Sequence, residues 1–139
     1  MPGTTFDIDA IAAGGGKALV FPNGANIFSR GEPGDCAFIV ALGRVRIGNG
    51  VPIEVVRPGE IFGEASLIDD GPRMASATAS GPTEVRIIDR DLFLLLCRDD
   101  SDFADAVMRL MARRLRATVR ALDRVTGDSR PDLRVIAGG

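Results

Sequence analysis

Residues 17–61, KALVFPNGANIFSRGEPGDCAFIVALGRVRIGNGVPIEVVRPGEI, are cut at short intervals by PNG, RGEPGD, ALG, GNG and RPGE. Glycine and asparagine accept positive φ and proline fixes its own, so each cut closes a turn between two short apolar runs. Turn signals this frequent leave no room for the crossover helix that a parallel βαβ unit needs. The segment must therefore fold as antiparallel β structure, a sandwich or a barrel. VRIGNGVPIEVV is its clearest hairpin, with Asn49-Gly50 suited to the turn. A second β stretch is expected at 75–89, ASATASGPTEVRIID, broken at Gly81-Pro82.

From Asp89 the period changes. RDLFLLLCRDD reads as a short helix with Asp91 in its first turn. Ser101 or Asp102 then caps a longer helix over roughly 102–125. Ala104, Met108, Met111, Leu115, Thr118, Leu122 and Val125 step by four and three, and Phe103, Val107 and Leu110 widen that stripe at its start. Arginines at 109, 113, 116, 120 and 124 take the outer face. The stripe has two fates, packing on its own domain or pairing with a partner helix. For one helix of this length the first is the commoner. Gly127 is a stop, 127–139 a loose tail, and Gly14–Gly16 a flexible junction before the first strand.

At 139 residues the chain is expected to be one domain, with segments 1–16, 17–89, 90–126 and 127–139. Histidine is absent, which removes Ser-His and Cys-His nucleophiles and the commonest metal ligand. Cys36 and Cys97 sit far apart in apolar settings and read as two buried thiols, without a structural zinc site. The expectation is no enzyme, no catalytic residue, no metal and no cofactor. No apolar run has the length of a membrane span, and the first sixteen residues lack the pattern of a secretory signal, so the expected compartment is the cytoplasm. Residues 1–108 carry a net charge of −7 and residues 109–139 one of +5. An arginine-rich end on an acidic body fits nucleic acid or, more commonly, a solvated helix face.

Residues 62–77, FGEASLIDDGPRMASA, carry the chemistry. Gly63 permits a sharp turn and close approach of a ligand. Glu64 to Ile68 can form one helical turn, whose first N–H groups are unpaired and partly positive. The loop DDGP reverses the chain, with Gly71 tolerating an unusual φ, and returns Arg73 to that helix end. A guanidinium facing free amides makes a socket for phosphate oxygens, and Glu64 beside it can accept from sugar hydroxyls. Alternatively, Glu64 and Arg73 pair with each other and merely close the loop.

The segment resembles the phosphate-binding cassette of the cyclic nucleotide-binding domain family: F-G-E, two small or apolar residues, L-apolar, a short loop, P-R, a small residue and A-[ST]. Residues 62–76 follow that pattern without a gap, and glycines 24, 31, 34 and 43 stand in the family's spacing. The resemblance covers about residues 17–125. It implies a mainly β fold with C-terminal helices (α+β): an antiparallel β-roll or jelly-roll with a short N-terminal helix, a cassette helix, and hinge and lid helices.

Carried over by position, the resemblance places Phe62, Gly63, Glu64, Ala65, Ser66, Arg73, Met74 and Ala75 at the ligand. Gly63 and Glu64 would contact the ribose, Arg73 the cyclic phosphate, and the N–H groups of Ser66 and Met74 would complete the cradle. Ile47 and Val56 match apolar lining positions. Arg114 falls where some members set a residue over the base, or is a solvated helix charge. Met74 replaces the Ala, Ser or Thr usual after the arginine and offers no hydroxyl, which points to cAMP rather than cGMP, although its bulk could narrow the pocket. The twelve residues after Gly127 are too few for a three-helix DNA reader. The expected protein is thus a non-enzymatic regulatory module, monomer or homodimer through the 102–125 helix, signalling to an unknown effector protein, with no nucleic acid and no membrane. The alternative is a scaffold of the same fold with weak or no nucleotide binding.

Overall fold

The structure is a computed structural model that describes residues 4–48 and 54–126. The turn expected at Asn49-Gly50, the stop at Gly127 and the 127–139 tail lie outside the described residues. The chain forms two compact units, divided between Ala106 and Val107 within its last helix.

The first unit opens with helix α1, Ile8–Ala13, capped by Asp7, whose carboxylate accepts from the amides of Asp9 and Ala10. Gly14–Gly16 is not a flexible junction. The amides of Gly14, Gly15 and Gly16 donate to the carbonyls of Ala10, Ala12 and Ile11, an ordered helix stop. A Cβ at Gly16 would sit 2.7 Å from Ile11 and 2.9 Å from the Ile87 carbonyl, so this stop is packed as well as bonded.

Among the described residues six strands follow: β1 Ala18–Phe21, β2 Asn26–Phe28, β3 Cys36–Ile47, β4 Glu54–Val56, β5 Ile61–Phe62 and β6 Ala77–Asp89. All pairings are antiparallel, as the turn spacing requires, in the order β1-β6-β3-β4 with β2 on β6 and β5 on β3. The two long strands β3 and β6 form the spine. Phe28, Phe38, Val40, Val45, Val56, Phe62, Ala77 and Val85 fill the core between the strands.

The break expected at Gly81-Pro82 is a bend within one strand. β6 runs through both residues, with Gly81 at φ +78, and its ladder with β3 shifts register between Leu42/Glu84 and Arg44/Ser80. On one side of the bend β6 pairs with β2, on the other with β1. Proline survives in this strand because it sits where the ladder is already interrupted.

Helix α2, Glu64–Asp69, joins β5 to the loop before β6, and α3, Arg90–Asp99, follows β6 under an Asp89 cap. Helix α4 spans Ser101–Thr126. Its cap is Asp100 rather than Ser101 or Asp102: the Asp100 carboxylate accepts from the amides of Asp102 and Phe103, each at 3.1 Å. Along α4, Phe103, Val107 and Leu110 are buried, while Met108, Leu115, Leu122 and Val125 of the expected stripe are exposed. Burial therefore follows the residues that widened the stripe, not the stripe. Among the described residues no helix is long and apolar enough to cross a membrane.

Candidate functional site

Three segments build the site: the β5–α2 corner, the loop from α2 to β6, and the β2–β3 loop. At the corner Gly63 is left-handed, at φ +75, and caps α2 with no side-chain hydrogen bond. Glycine takes that conformation without strain, and having no side chain it leaves α2 without a side-chain cap. Glu64, Ser66 and Leu67 are buried, whereas Ile68 is exposed. The left-handed residue of the following loop is Asp70, at φ +59, not Gly71. Aspartate tolerates this helix-ending position, and the preceding Asp69 carboxylate accepts from the Gly71 amide at 2.9 Å.

The loop brings Arg73 back to the start of α2, as expected, where its side chain enters a slot. Its backbone is fixed by two reciprocal bonds: the Arg73 amide donates to the Glu32 carbonyl, and the Gly31 amide to the Arg73 carbonyl, both at 2.8 Å. Its side chain is only 5% exposed. Nη1 donates to the Gly63 carbonyl at 2.8 Å, and Nη2 to the Cys36 carbonyl at 2.9 Å. Nε, although buried, has no hydrogen-bond partner. A buried donor left in that state costs free energy until an acceptor arrives.

The slot exists because two side chains are missing. A Cβ at Gly34 would lie 2.4 Å from Arg73 Nε, and one at Gly63 would lie 2.8 Å from Nη1. The Phe28 ring covers the guanidinium, with Cζ 4.2 Å from its centroid, and Phe38 lies further off at 5.7 Å. Sequence reasoning found Gly63 and Arg73 but missed Phe28, Gly34 and the Cys36 carbonyl as their partners. The one signal for them was the RGEPGD turn, whose Gly31 and Gly34 both serve the arginine.

Of the other expected residues, Phe62 is a core side chain, stacked at 5.2 Å on Phe38. Ala65 and Ala75 are half-buried, flanking the slot in sequence. Met74 is 76% exposed, so its bulk lies in solvent and not in the slot. Val56 is fully buried and Ile47 half-buried, both against the core of the roll and on the two strands of one hairpin. Arg114 belongs to the second unit, where its carbonyl accepts from the Thr118 hydroxyl at 2.9 Å.

Both cysteines are free and half-buried rather than buried. Burial pushes the Cys36 thiol above its ordinary value, against an opposing pull from Arg73, and burial alone pushes up Cys97. Asp70 pairs with Arg90, the first residue of α3, so the end of the cassette touches the start of the hinge helix. A cavity of about 370 Å³ also opens between Gly14, Lys17, Ile87, Asp91 and Leu95. It lies at the α1–α3 corner and contains neither an arginine nor any residue of 62–76.

The family model described as the cyclic nucleotide-binding domain matches residues 18–100. The CRP-like cAMP-activated global transcriptional regulator of Mycobacterium tuberculosis is 40% identical over 106 residues, covering 70% of this chain and 46% of the regulator. The crystal structure of the Thermus thermophilus catabolite activator protein superposes with a TM-score of 0.74 at 34% identity, over 86% of this chain and 58% of that one. A structure titled for a cyclic-GMP-dependent signalling pathway in bacterial phytopathogenesis gives a TM-score of 0.70 at 27% identity, over 81% of this chain and 97% of that one. The chain spans about half the length of the curated relatives it matches.

Proposed function

This chain belongs to the cyclic nucleotide-binding domain family, and from that premise we propose that it is a non-enzymatic regulatory module whose ligand is cAMP, ahead of cGMP. The observation that carries the reading is Arg73: a nearly fully buried guanidinium with an unpartnered Nε–H, close to a corner whose first helical amides have no capping side chain. A cyclic phosphate supplies one negative charge and the acceptor oxygen that Arg73 Nε–H lacks. Glu64, buried beside Gly63, takes the ribose hydroxyls, and the amides of Ser66 and Met74 complete the cradle. Ile47, half-buried at the end of β3, faces the purine.

The preference for cAMP rests on Met74, whose thioether offers no donor to a guanine, and on the cAMP named in the mycobacterial relative. The cGMP named for one structural neighbour makes cGMP the ligand to test beside it.

Binding acts as a choice between two states, because a ligand shifts an equilibrium only by its differential affinity. The phosphate draws Arg73 and α2 together, Leu67 moves with α2, and the Asp70–Arg90 contact passes the shift to α3. Helices α3 and α4 then present a changed surface to an effector protein. The exposed Met108, Leu115 and Leu122, seven residues apart, fit pairing of α4 between two copies.

One observation favours the second reading, a scaffold without ligand: both terminal nitrogens of Arg73 are already bonded to carbonyls. Calorimetric titration with cAMP and cGMP, after removal of any nucleotide retained from the host, separates the two. The module binds at least one of them and loses it in Arg73→Ala; the scaffold binds neither.

A further inference from the structure

Phe28 stands in the slot for a reason that packing alone does not supply. Its ring is fixed on β2 and lies 6.0 Å from both Phe38 and Phe62, which would satisfy any core. Yet the same ring carries the Arg73 guanidinium at 4.2 Å, within the range where a cation is attracted to an aromatic face. We infer that Phe28 is a positioning residue for the ligand: its π face holds the plane of the Arg73 guanidinium so that Nε–H stays aimed at the incoming phosphate. This rests on the nucleotide reading above and adds a specific requirement to it.

The argument is one of remaining freedom. The carbonyls of Gly63 and Cys36 pin the two terminal nitrogens within the guanidinium plane. Hydrogen bonds of that kind tolerate rotation of the plane about their own direction, because carbonyl acceptors are broad. A surface lying over the plane is needed to stop that rotation. Gly34 supplies the clearance, since any Cβ there would strike Nε and Cζ at 2.4 and 2.5 Å, and Phe28 supplies the contact. An aliphatic residue of the same volume would fill the core but would not attract the cation. The attraction depends on electron density at the ring face, which ring fluorine withdraws with little change of size.

The experiment replaces Phe28 with phenylalanine carrying one, two and three ring fluorines, in the full chain, and measures cAMP affinity by calorimetry. Affinity is expected to fall stepwise, by roughly three- to thirty-fold over the series. Phe28→Tyr, which keeps the ring, retains binding, and Phe28→Leu matches the trifluorinated form. In an Arg73→Gln background the residual affinity shows no dependence on fluorine. A series that binds cAMP equally well throughout overturns the role of Phe28 and leaves the nucleotide reading standing. Affinity that rises with fluorine overturns it too, because the stack would then hold the arginine away from its ligand. A fluorine-free protein that binds neither cAMP nor cGMP overturns the reading on which the inference rests.

Discussion

Arg73 concentrates the chemistry of this chain, and its neighbours make residue-scale outcomes definite. Arg73→Ala deletes a charge-assisted contact of roughly 1.5–3 kcal/mol, so cAMP affinity in a titration should drop by at least tenfold. Gly34→Ala removes no ligand-facing group but puts a methyl 2.4 Å from Arg73 Nε. It should displace the guanidinium and weaken cAMP by a similar factor, with an unchanged far-ultraviolet spectrum. The thiols give a pH prediction. Both are pushed above the ordinary value of 9.0 by burial, so the folded state favours neutral thiols. Their contribution is fully present below pH 9 and is lost as pH rises through the higher folded values. Urea midpoints should therefore fall from about pH 9 upward, and less steeply in Cys36→Ala. The sequence made Gly63, Glu64 and Arg73 legible because they lie within one short segment. Phe28, Gly34 and Cys36 were not, because their contacts with Arg73 close over loops such as the 37 residues back to Cys36.

At the scale of elements, the turn residues determined which strands exist and the exceptions came from tertiary context. Gly81-Pro82 looked like a break because proline cannot donate to a ladder. The long partner β3 instead carries β6 past the interruption, and the strand bends there while changing neighbours. Gly81 has φ +78 and open space where a Cβ would go, so Gly81→Ala is a test of backbone strain alone. It should cost about 1–2 kcal/mol in a denaturant titration and leave nucleotide affinity unchanged. Helices α3 and α4 were legible by period, but the cap of α4 was not. Asp100 won over Ser101 and Asp102 because its carboxylate reaches two free amides at once. The apolar stripe of α4 was visible in sequence, but which part of it is buried was not. Phe103 packs on Phe6 and Phe93, contacts that no helical period reveals. The exposed part gives a direct outcome: light scattering should report twice the chain mass, and Leu115→Glu with Leu122→Glu should return it to the mass of one chain.

For the whole molecule, ligand and fold are linked. The slot draws on β2, the β2–β3 loop, the β5–α2 corner and the loop before β6, segments spread from Phe28 to Arg73. A ligand held by all of them binds only the folded chain. At about one hundred times its dissociation constant it should add roughly 2.7 kcal/mol to the stability of the folded state. The melting midpoint should rise by several degrees with cAMP, and by almost nothing in Arg73→Ala. A shift that survives in Arg73→Ala would place binding elsewhere in the molecule.

The most direct measurement is a crystal structure of the protein with cAMP. An exocyclic phosphate oxygen is expected about 2.7–2.9 Å from Arg73 Nε and within hydrogen-bond reach of the Ser66 amide, with a ribose hydroxyl on Glu64. A slot with no phosphate in it at saturating cAMP, or a phosphate held away from Arg73, would contradict the account.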